Sequence, residues 1–165
     1  MNARLFLALW PDPAIRAQLA QARDRWTWPR SATPVRTERL HLTLHFIGDV
    51  AQERVADVAA ALEVKSPVFD LRFGRNVLWP HGVAVLEPEH APPTLHALHD
   101  TLGAALRALS LPLDARAYKP HVTLARRAGT ALPGMDESSI LWSVDRYALV
   151  QSQAGKYQVL REYAF

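Results

Sequence analysis

Residues 40–49 read LHLTLHFIGD and residues 119–129 read KPHVTLARRAG, so the chain twice places a histidine two residues before a threonine among β-forming residues. His41 and His121 lie about half the chain apart. This spacing predicts two related strands that face each other across an approximate internal symmetry. Such an arrangement suits chemistry that needs two matched partners.

The alternation of a β-strand determines which side chains these two stretches share. Because successive side chains of a strand point to opposite faces, His41 and Thr43 lie on one face while the intervening leucines lie on the other. His121 and Thr123 share a face in the same way. We expect the opposite, apolar faces to enter the core. Each strand then has an imidazole and a hydroxyl on a face that need not be buried.

Length and composition indicate an ordinary globular protein. The 165 residues are 49% hydrophobic and 21% charged, which is typical of a folded domain and argues against disorder. We therefore expect a single domain over residues 1–165. The chain contains no cysteine, which excludes disulfides, thiolate nucleophiles and thiolate metal ligands.

The net charge indicates what kind of partner the protein binds, and the N-terminal residues indicate where in the cell it is located. The formal net charge of +3 and the sequence pI of about 9.6 favour an anionic partner. The apolar run from Leu5 to Trp10 is too short for a signal-peptide core or a membrane span. We expect a cytoplasmic protein with no membrane association and no obligate protein partner.

Hydrophobic periodicity and turn residues divide the chain into strands interspersed with about three helices. Asp12 followed by Pro13 predicts the start of the first helix. Predicted strands cover residues 4–10, 40–48, 68–79, 82–88, 121–127, 141–152 and 156–165, predicted helices cover 13–25, 49–64 and 92–109, and a loop is predicted over 128–139. Strands in hairpin-like pairs predict an α+β fold with a mainly antiparallel sheet.

Two histidines that face each other suit a reaction in which one proton is removed while another is delivered. Histidine titrates near neutral pH, so one imidazole can be neutral while the other is protonated. Hydrolysis of a phosphodiester fits this requirement, with the threonine hydroxyls donating to the phosphoryl oxygens, and predicts a bell-shaped pH profile around neutrality. The plainer alternative is a pair of strand histidines bonded to backbone, beside threonines that favour β structure. The duplication of the motif favours the catalytic interpretation.

Two His-x-Thr-x motifs, here HLTL at 41–44 and HVTL at 121–124, define the two-histidine (2H) phosphoesterase superfamily, which this sequence resembles. The segments RLFLALWP, YKPHVTLAR and LVQSQAGKYQVL make it similar, more narrowly, to the RNA 2′,3′-cyclic phosphodiesterases of the LigT-like or 2′-5′ RNA ligase family. The resemblance implies a bilobal, pseudo-symmetric α+β fold. In that fold two mainly antiparallel sheets flank a central cleft, helices lie outside, and two intertwined lobes form one domain.

The resemblance also implies an activity and the roles of the motif residues. Members of this family hydrolyse a terminal RNA 2′,3′-cyclic phosphate to a 2′-phosphomonoester without a metal. Carried over by motif, His41 is the proton donor to the leaving oxygen and His121 is the proton acceptor that activates water, with Thr43 and Thr123 beside them. The expected partner is RNA with a 2′,3′-cyclic phosphate terminus or a cyclic nucleotide, and no cofactor is expected.

Residues close to the motifs are candidates for substrate binding. Phe46 and Arg126 each lie five residues after a motif histidine, and an aromatic plane and a guanidinium plane together can sandwich a nucleobase. Strict alternation places both on the face opposite the histidines, so a bulge or strand end is required. Arg127 has the matching parity and is the competing phosphate or base contact. His45 shares the face of His41 by the same alternation, so its two candidate positions are the lining of the cleft and a solvated strand surface, and we expect the solvated one.

Alternative functions of the same two motifs are a phosphodiesterase for small cyclic nucleotides, a reversible 2′-5′ RNA ligase, and a non-catalytic module that binds RNA ends or nucleotides. A binding module has no need for two proton-transfer groups, which favours an enzyme. His90, His96 and His99 are close in sequence but have no nearby cysteine, so we expect no metal site.

Overall fold

The computed structural model describes residues 1–135 and 139–165, so residues 136–138 of the predicted loop lie outside the described residues. The described residues form nine strands and three α-helices. The strands are β1 (Asn2–Leu9), β2 (Thr33–Pro34), β3 (Leu42–Ala51), β4 (Phe69–Trp79), β5 (Val83–Pro88), β6 (Val122–Arg126), β7 (Ile140–Val144), β8 (Arg146–Gln153) and β9 (Lys156–Ala164), and the helices are α1 (Pro13–Asp24), α2 (Val55–Ala61) and α3 (Pro93–Ala108). None of these helices has the length and apolar character of a membrane span.

All nine strands belong to one hydrogen-bonded sheet in which the pairings are antiparallel. The order across the sheet is β7-β4-β5-β6-β3-β1-β8-β9, and β2 pairs with β6. At the centre, the ladder between β3 and β6 consists of one pair of facing residues, Leu42 and Val122. The sheet therefore has two halves that meet along the two motif strands. This arrangement confirms the expected α+β fold, and the two antiparallel sheets that the resemblance implied are the two halves of one sheet, joined between β3 and β6.

A repeated strand–helix–strand unit explains why the motif strands become neighbours. The first unit is β1, α1 and β3, and the second is β5, α3 and β6. In each unit the first strand pairs with the motif strand and with one further strand, β8 or β4 respectively. Because the two units place their last strands side by side, His41 and His121 lie near the middle of the sheet.

Burial of the apolar faces holds the helices and strands together. Asp12 Oδ1 accepts a hydrogen bond from the Ile15 backbone N–H at 2.8 Å, which caps α1 as predicted. Helix α3 buries Leu95, Leu98, Leu102 and Leu106 along one side. Leu42 and Leu124 of the motif strands are fully buried in one hydrophobic cluster that includes residues of both halves. The two halves therefore share a core. Burial of each leucine in this core stabilises the fold by about 2 kcal/mol.

Several predicted elements have different bounds in the structure; β1 covers Asn2–Leu9 rather than 4–10, and β3 covers Leu42–Ala51 rather than 40–48. The segment 141–152, predicted as one strand, is divided at Asp145 into β7 and β8, which pair in different halves of the sheet. Buried and exposed residues alternate strictly along β7, whereas four consecutive residues of β8 are buried. A single alternating hydrophobic pattern therefore does not describe the whole segment. Helix α2 begins only at Val55, because β3 extends to Ala51 through its pairing with Asn2.

Candidate active site

A bulge in β3 changes which side chains face the first motif histidine. Leu7 of β1 faces His45, and the next residue, Ala8, faces Thr43, so Leu44 is an extra residue without a partner on β1. One extra residue reverses the alternation of a strand beyond it. Thr43 and His45 therefore lie on opposite faces although they are two residues apart.

Strand β6 has the same irregularity at the equivalent position of the second motif. Val85 of β5 faces Thr123, and Ala84 faces Ala125, so Leu124 is the extra residue. Leu124 is the fourth residue of the second His-x-Thr-x motif, and Leu44, the bulged residue of β3, is the fourth residue of the first motif. The internal symmetry of the fold thus extends to the bulges that shape the site.

The two bulged strands line one cleft of about 240 Å³. Both motif histidines and both motif threonines line this cleft, so the structure brings together His41, Thr43, His121 and Thr123. The other lining residues are Phe6, Val35, Arg39, Phe46, Arg126 and Tyr157. Two stretches separated by about half the chain therefore form a single site.

Backbone carbonyls fix the orientation of both imidazoles. His41 Nδ1 lies 2.7 Å from the Arg39 carbonyl oxygen, and His121 Nδ1 lies 2.7 Å from the Lys119 carbonyl oxygen. Because a carbonyl can only accept, both Nδ1 atoms carry a hydrogen and donate it. Each Nε2 is then the nitrogen that exchanges protons with a ligand. His41 Nε2 is 3.0 Å from Thr43 Oγ1, so the hydroxyl donates to it when the imidazole is neutral.

The surroundings of His41 favour its neutral form. Burial lowers the pKa of His41 to about 4; the hydrogen bond to the Arg39 carbonyl opposes this shift, and the positive charges of Arg16, protonated His121 and Arg39 add to it. Aromatic rings enclose the imidazole, with ring centroids 4.9 Å away for Phe6, 5.7 Å for Trp10 and 5.6 Å for Tyr157. The free protein therefore holds His41 uncharged at neutral pH.

His121 has a more mixed environment. Burial lowers the pKa of His121, the Lys119 carbonyl and the Glu87 carboxylate oppose the decrease, and the charges of Arg126 and Lys119 add to it. The ring of Trp79 packs against the imidazole with centroids 4.3 Å apart. His121 thus differs from His41 in having a carboxylate among the groups that influence it.

The bulges explain the positions of the predicted substrate contacts. Phe46 is 49% exposed, and both Phe46 and Arg126 line the cleft, on the side to which the reversed alternation turns them. The bulge that this sequence interpretation required is therefore present in both strands. Arg127 has a positive φ of 52°, its carbonyl accepts a hydrogen bond from Ser31 Oγ at 3.1 Å, and it is not among the described residues that line the cleft. The geometry favours Arg126 over Arg127.

The expectation of a solvated His45 is wrong. His45 is 7% exposed, its Nε2 donates to the His99 carbonyl at 2.7 Å, and its ring stacks on that of His99 with centroids 4.0 Å apart. The bulge turns this histidine toward α3 and away from the cleft. In the part of the chain that the structure describes, no group of three or more His, Asp or Glu side chains is arranged to hold a metal ion.

Sequence analysis did not identify four residues around the motif histidines: Arg39, Trp79, Glu87 and Tyr157. Arg39 Nη2 donates to Tyr157 Oη at 3.0 Å, while its Nε is buried without a hydrogen-bond partner among the described residues. A signal for Arg39 was available, because Arg39 and Lys119 are cations two residues before each motif histidine. Glu87 is the one charged residue of β5, which is also visible in the sequence.

Comparison with known families agrees with this geometry. The sequence profile described as the 2′-5′ RNA ligase superfamily matches residues 11–156. The chain belongs to this superfamily. The assignment confirms the resemblance that the two His-x-Thr-x motifs indicated.

Individual relatives of the 2′-5′ RNA ligase superfamily match nearly the whole chain. A protein of Escherichia coli K12 named RNA 2′,3′-cyclic phosphodiesterase is 29% identical over 151 residues, which cover 88% of this chain and 86% of the relative. A protein of Thermus thermophilus with the same name is 29% identical over 171 residues, which cover 91% and 82%. The crystal structure of E. coli LigT complexed with 3′-AMP has a TM-score of 0.87 at 26% identity and covers 100% of this chain and 99% of that one.

Proposed function

We propose that this protein is an RNA 2′,3′-cyclic phosphodiesterase that hydrolyses cyclic phosphate ends to 2′-phosphomonoesters by paired histidine acid–base catalysis, without a metal. The observation that carries the proposal is the single cleft lined by His41, His121, Thr43 and Thr123, in which both imidazoles are held through Nδ1. Two relatives named RNA 2′,3′-cyclic phosphodiesterase, each 29% identical, support the substrate class.

The two imidazoles supply the proton transfers that hydrolysis requires. His121 Nε2 removes a proton from water as the water oxygen bonds to phosphorus. The bond from phosphorus to the ribose 3′ oxygen breaks, and protonated His41 donates its Nε2 proton to that oxygen. The product carries a 3′-hydroxyl and a 2′-phosphate, and the two histidines have exchanged protonation states.

Thr43 changes partner as the protonation of His41 changes. With neutral His41, the Thr43 hydroxyl donates to Nε2 across 3.0 Å. When Nε2 is protonated it is itself a donor, so the hydroxyl hydrogen is free to turn toward a phosphoryl oxygen. Thr123, which lines the cleft beside His121, provides a second hydroxyl. Two such donors stabilise the charge that develops on the phosphoryl oxygens in the transition state.

The anionic substrate supplies the proton-donor state of His41. The pKa of His41 is about 4 in the free protein, so a neutral pH leaves this imidazole uncharged. A phosphodiester within the cleft places a negative charge beside the ring and raises its pKa. A donor with a low pKa also gives up its proton readily once the leaving oxygen gains charge, which suits His41 to the donor role.

Phe46 and Arg126 form the proposed nucleobase site. Both are exposed and both line the cleft. Arg4 reinforces the aromatic plane, because its guanidinium carbon lies 5.1 Å from the Phe46 ring centroid. Stacking of a base between an aromatic ring and a guanidinium plane is tolerant of sequence and contributes about 1–3 kcal/mol per base. Arg127 is the less favoured contact because it lies outside the cleft lining.

Product analysis by phosphorus NMR tests the proposed function. The purified protein is incubated in excess EDTA with a dinucleotide that ends in a 2′,3′-cyclic phosphate, and the same reaction is run with the His41→Ala variant as control. We expect conversion to the 2′-phosphomonoester by the wild type alone. Loss of activity in EDTA, or a 3′-phosphate as product, would contradict the proposed mechanism.

Kinetics on short and long substrates separate RNA from small cyclic nucleotides. RNA that contacts several cations must bind less tightly as salt rises, whereas a mononucleotide should respond weakly. We expect KM for an oligonucleotide to rise with salt more steeply than KM for the cyclic mononucleotide. Equal salt dependence of the two KM values, with a lower KM for the mononucleotide, would favour a phosphodiesterase for small cyclic nucleotides. Tight binding of 2′-phosphorylated RNA ends without any turnover would favour a non-catalytic binding module.

A further inference from the structure

Glu87 is a carboxylate at a buried position beside the second motif. The residue is 5% exposed, and the other residues of β5 are apolar. Leu86 faces Val122 across the strands, so Glu87 lies one step further along, next to the start of the segment that holds His121. A buried carboxylate is costly unless donors and cations compensate its charge.

Three side chains compensate the charge of Glu87. Trp79 Nε1 donates a hydrogen bond to its Oε1 at 2.8 Å, Lys119 Nζ lies 3.3 Å from the same oxygen, and Arg75 lies 3.6 Å from Oε2. Burial raises the pKa of Glu87, but the hydrogen bonds from Trp79 and Lys119 and the charges of Lys119 and Arg75 outweigh burial and lower it. Glu87 is therefore ionised at neutral pH.

Two of these three partners also contact His121. The Trp79 ring packs on the imidazole at a centroid distance of 4.3 Å, and the Lys119 carbonyl accepts the Nδ1–H at 2.7 Å. Lys119 Nζ in turn lies 5.0 Å from the Trp79 ring centroid. Glu87 thus holds both the side chain that flanks His121 and the residue whose backbone orients it.

Among the described residues, no carboxylate influences the pKa of His41. Arg39 occupies the place of Lys119, two residues before its motif histidine, and its guanidinium carbon lies 4.5 Å from the Tyr157 ring centroid, as Lys119 lies against Trp79. The charged groups that influence His41 are Arg16, Arg39 and His121, all cationic when charged. In the described ranges of the chain, a carboxylate therefore influences His121 but not His41.

We propose that Glu87 is a positioning residue that makes His121, rather than His41, the proton acceptor of the reaction, an inference that rests on the function proposed above. When His121 takes a proton from water it becomes an imidazolium, and the nearby carboxylate stabilises that charge. The other charges that face His121 are Lys119 on the preceding segment, Arg126 on β6 and His41 across the cleft. Lys119 and Arg126 oppose its protonation, and His41 does so only when it is itself protonated, so Glu87 is the charged side chain that favours the imidazolium, together with the Lys119 carbonyl.

The Glu87→Gln variant tests the role of the charge. Glutamine keeps the size of the side chain and an oxygen for Trp79 but removes the negative charge. NMR titration of the His121 imidazole in the free protein, assigned with His121→Ala, should show a pKa lower by roughly one unit than in the wild type. The alkaline limb of kcat/KM against pH should move to lower pH with it. Glu89→Gln, at an exposed position two residues along, is the matched control and should leave both unchanged.

The Glu87→Asp variant separates charge from placement. Aspartate keeps the charge but is shorter, so the pKa of His121 should stay near its wild-type value while kcat falls by about tenfold or more through displacement of Trp79 and Lys119. If Glu87→Gln does not fold, Glu87→Asp carries the test, and an unchanged kcat in that variant would contradict the inference.

Two different failures can be told apart. If the wild type hydrolyses cyclic phosphates but Glu87→Gln leaves the pKa of His121 and the alkaline limb unchanged, the Glu87 inference is wrong and the proposed function stands. A loss of kcat in Glu87→Gln without either shift would likewise indicate a structural role only. If the wild type does not hydrolyse cyclic phosphates, the proposed function fails, and with it the assignment of a proton acceptor.

Discussion

In the proposed mechanism, the protonation of the two motif imidazoles determines the pH range in which the enzyme is active. Burial lowers the pKa of His41 to about 4 and also lowers the pKa of His121, with Glu87 opposing the second shift. The proposed reaction needs His41 protonated and His121 neutral. Because the proton donor, His41, has the lower pKa of the two, the form with protonated His41 and neutral His121 is a minority of the enzyme at every pH. As a result, kcat/KM is constant between the two pKa values and falls below the lower one and above the higher one.

We therefore expect the activity of the free enzyme to be greatest on the acid side of neutrality. Burial lowers the pKa of His121 from its ordinary value, and above that pKa kcat/KM should fall by about tenfold per pH unit. The alkaline limb of kcat should lie at higher pH, because the bound phosphodiester raises both pKa values. Steady-state kinetics from pH 4 to 9 check this, and a kcat/KM optimum above pH 7.5 would contradict it.

The motif threonines are predicted to act in the transition state. Thr43→Val and Thr123→Val keep the side-chain shape but remove a hydroxyl donor, so each should lower kcat by about 10²-fold with little change in folding. Thr43→Ser and Thr123→Ser keep the donor and serve as controls. Full kcat in either valine variant would show that its hydroxyl does not donate to the reacting phosphate.

The segment before β6 is tied to β3 by one hydrogen bond. Tyr118 Oη donates to the Thr43 carbonyl at 3.0 Å, immediately before the bulge at Leu44. The Tyr118 ring also stacks on His99 of α3 with centroids 3.8 Å apart. This bond joins the two motif-bearing segments, so it contributes to the placement of Thr43 as well as to stability.

Tyr118→Phe should lower the free energy of unfolding by about 1 kcal/mol and also reduce kcat, because Thr43 loses its anchor. Asp12→Ala is the matched control, since loss of the α1 cap should lower the free energy of unfolding by a similar amount, about 1 kcal/mol, with kcat unchanged. Urea denaturation and kinetics on both variants check the prediction. Equal kcat values for the two variants would remove any role of Tyr118 in placement.

Sequence patterns predicted the elements better than the faces of their side chains. Alternation identified both motif strands, and Asp12 marked the start of α1, because these signals are local. The bulge at Leu44 depends on how β3 pairs with β1, a long-range property that alternation alone does not contain. For that reason His45 was placed on the wrong face, while Phe46 required a bulge that only the structure supplies.

The two halves of the molecule are predicted to unfold together. One buried cluster contains apolar residues of both halves, and the helix α3 of the second unit packs against β3 of the first through the His45–His99 contact. We expect one cooperative transition for residues 1–165, with coincident curves from tryptophan fluorescence and far-UV circular dichroism. Two separated transitions would indicate lobes that fold independently.

The internal symmetry of the whole molecule places two imidazoles at one cleft, and the proposed mechanism requires them to act as a unit. The most direct test is to measure kcat for His41→Ala, His121→Ala and the double variant on a cyclic-phosphate dinucleotide, with His96→Ala on the exposed face of α3 as control. We predict that each single variant loses about 10³-fold or more and that the double variant is within about tenfold of the weaker single variant. Independent, multiplicative losses, or full activity in either single variant, would contradict the claim that both histidines act on one phosphorus.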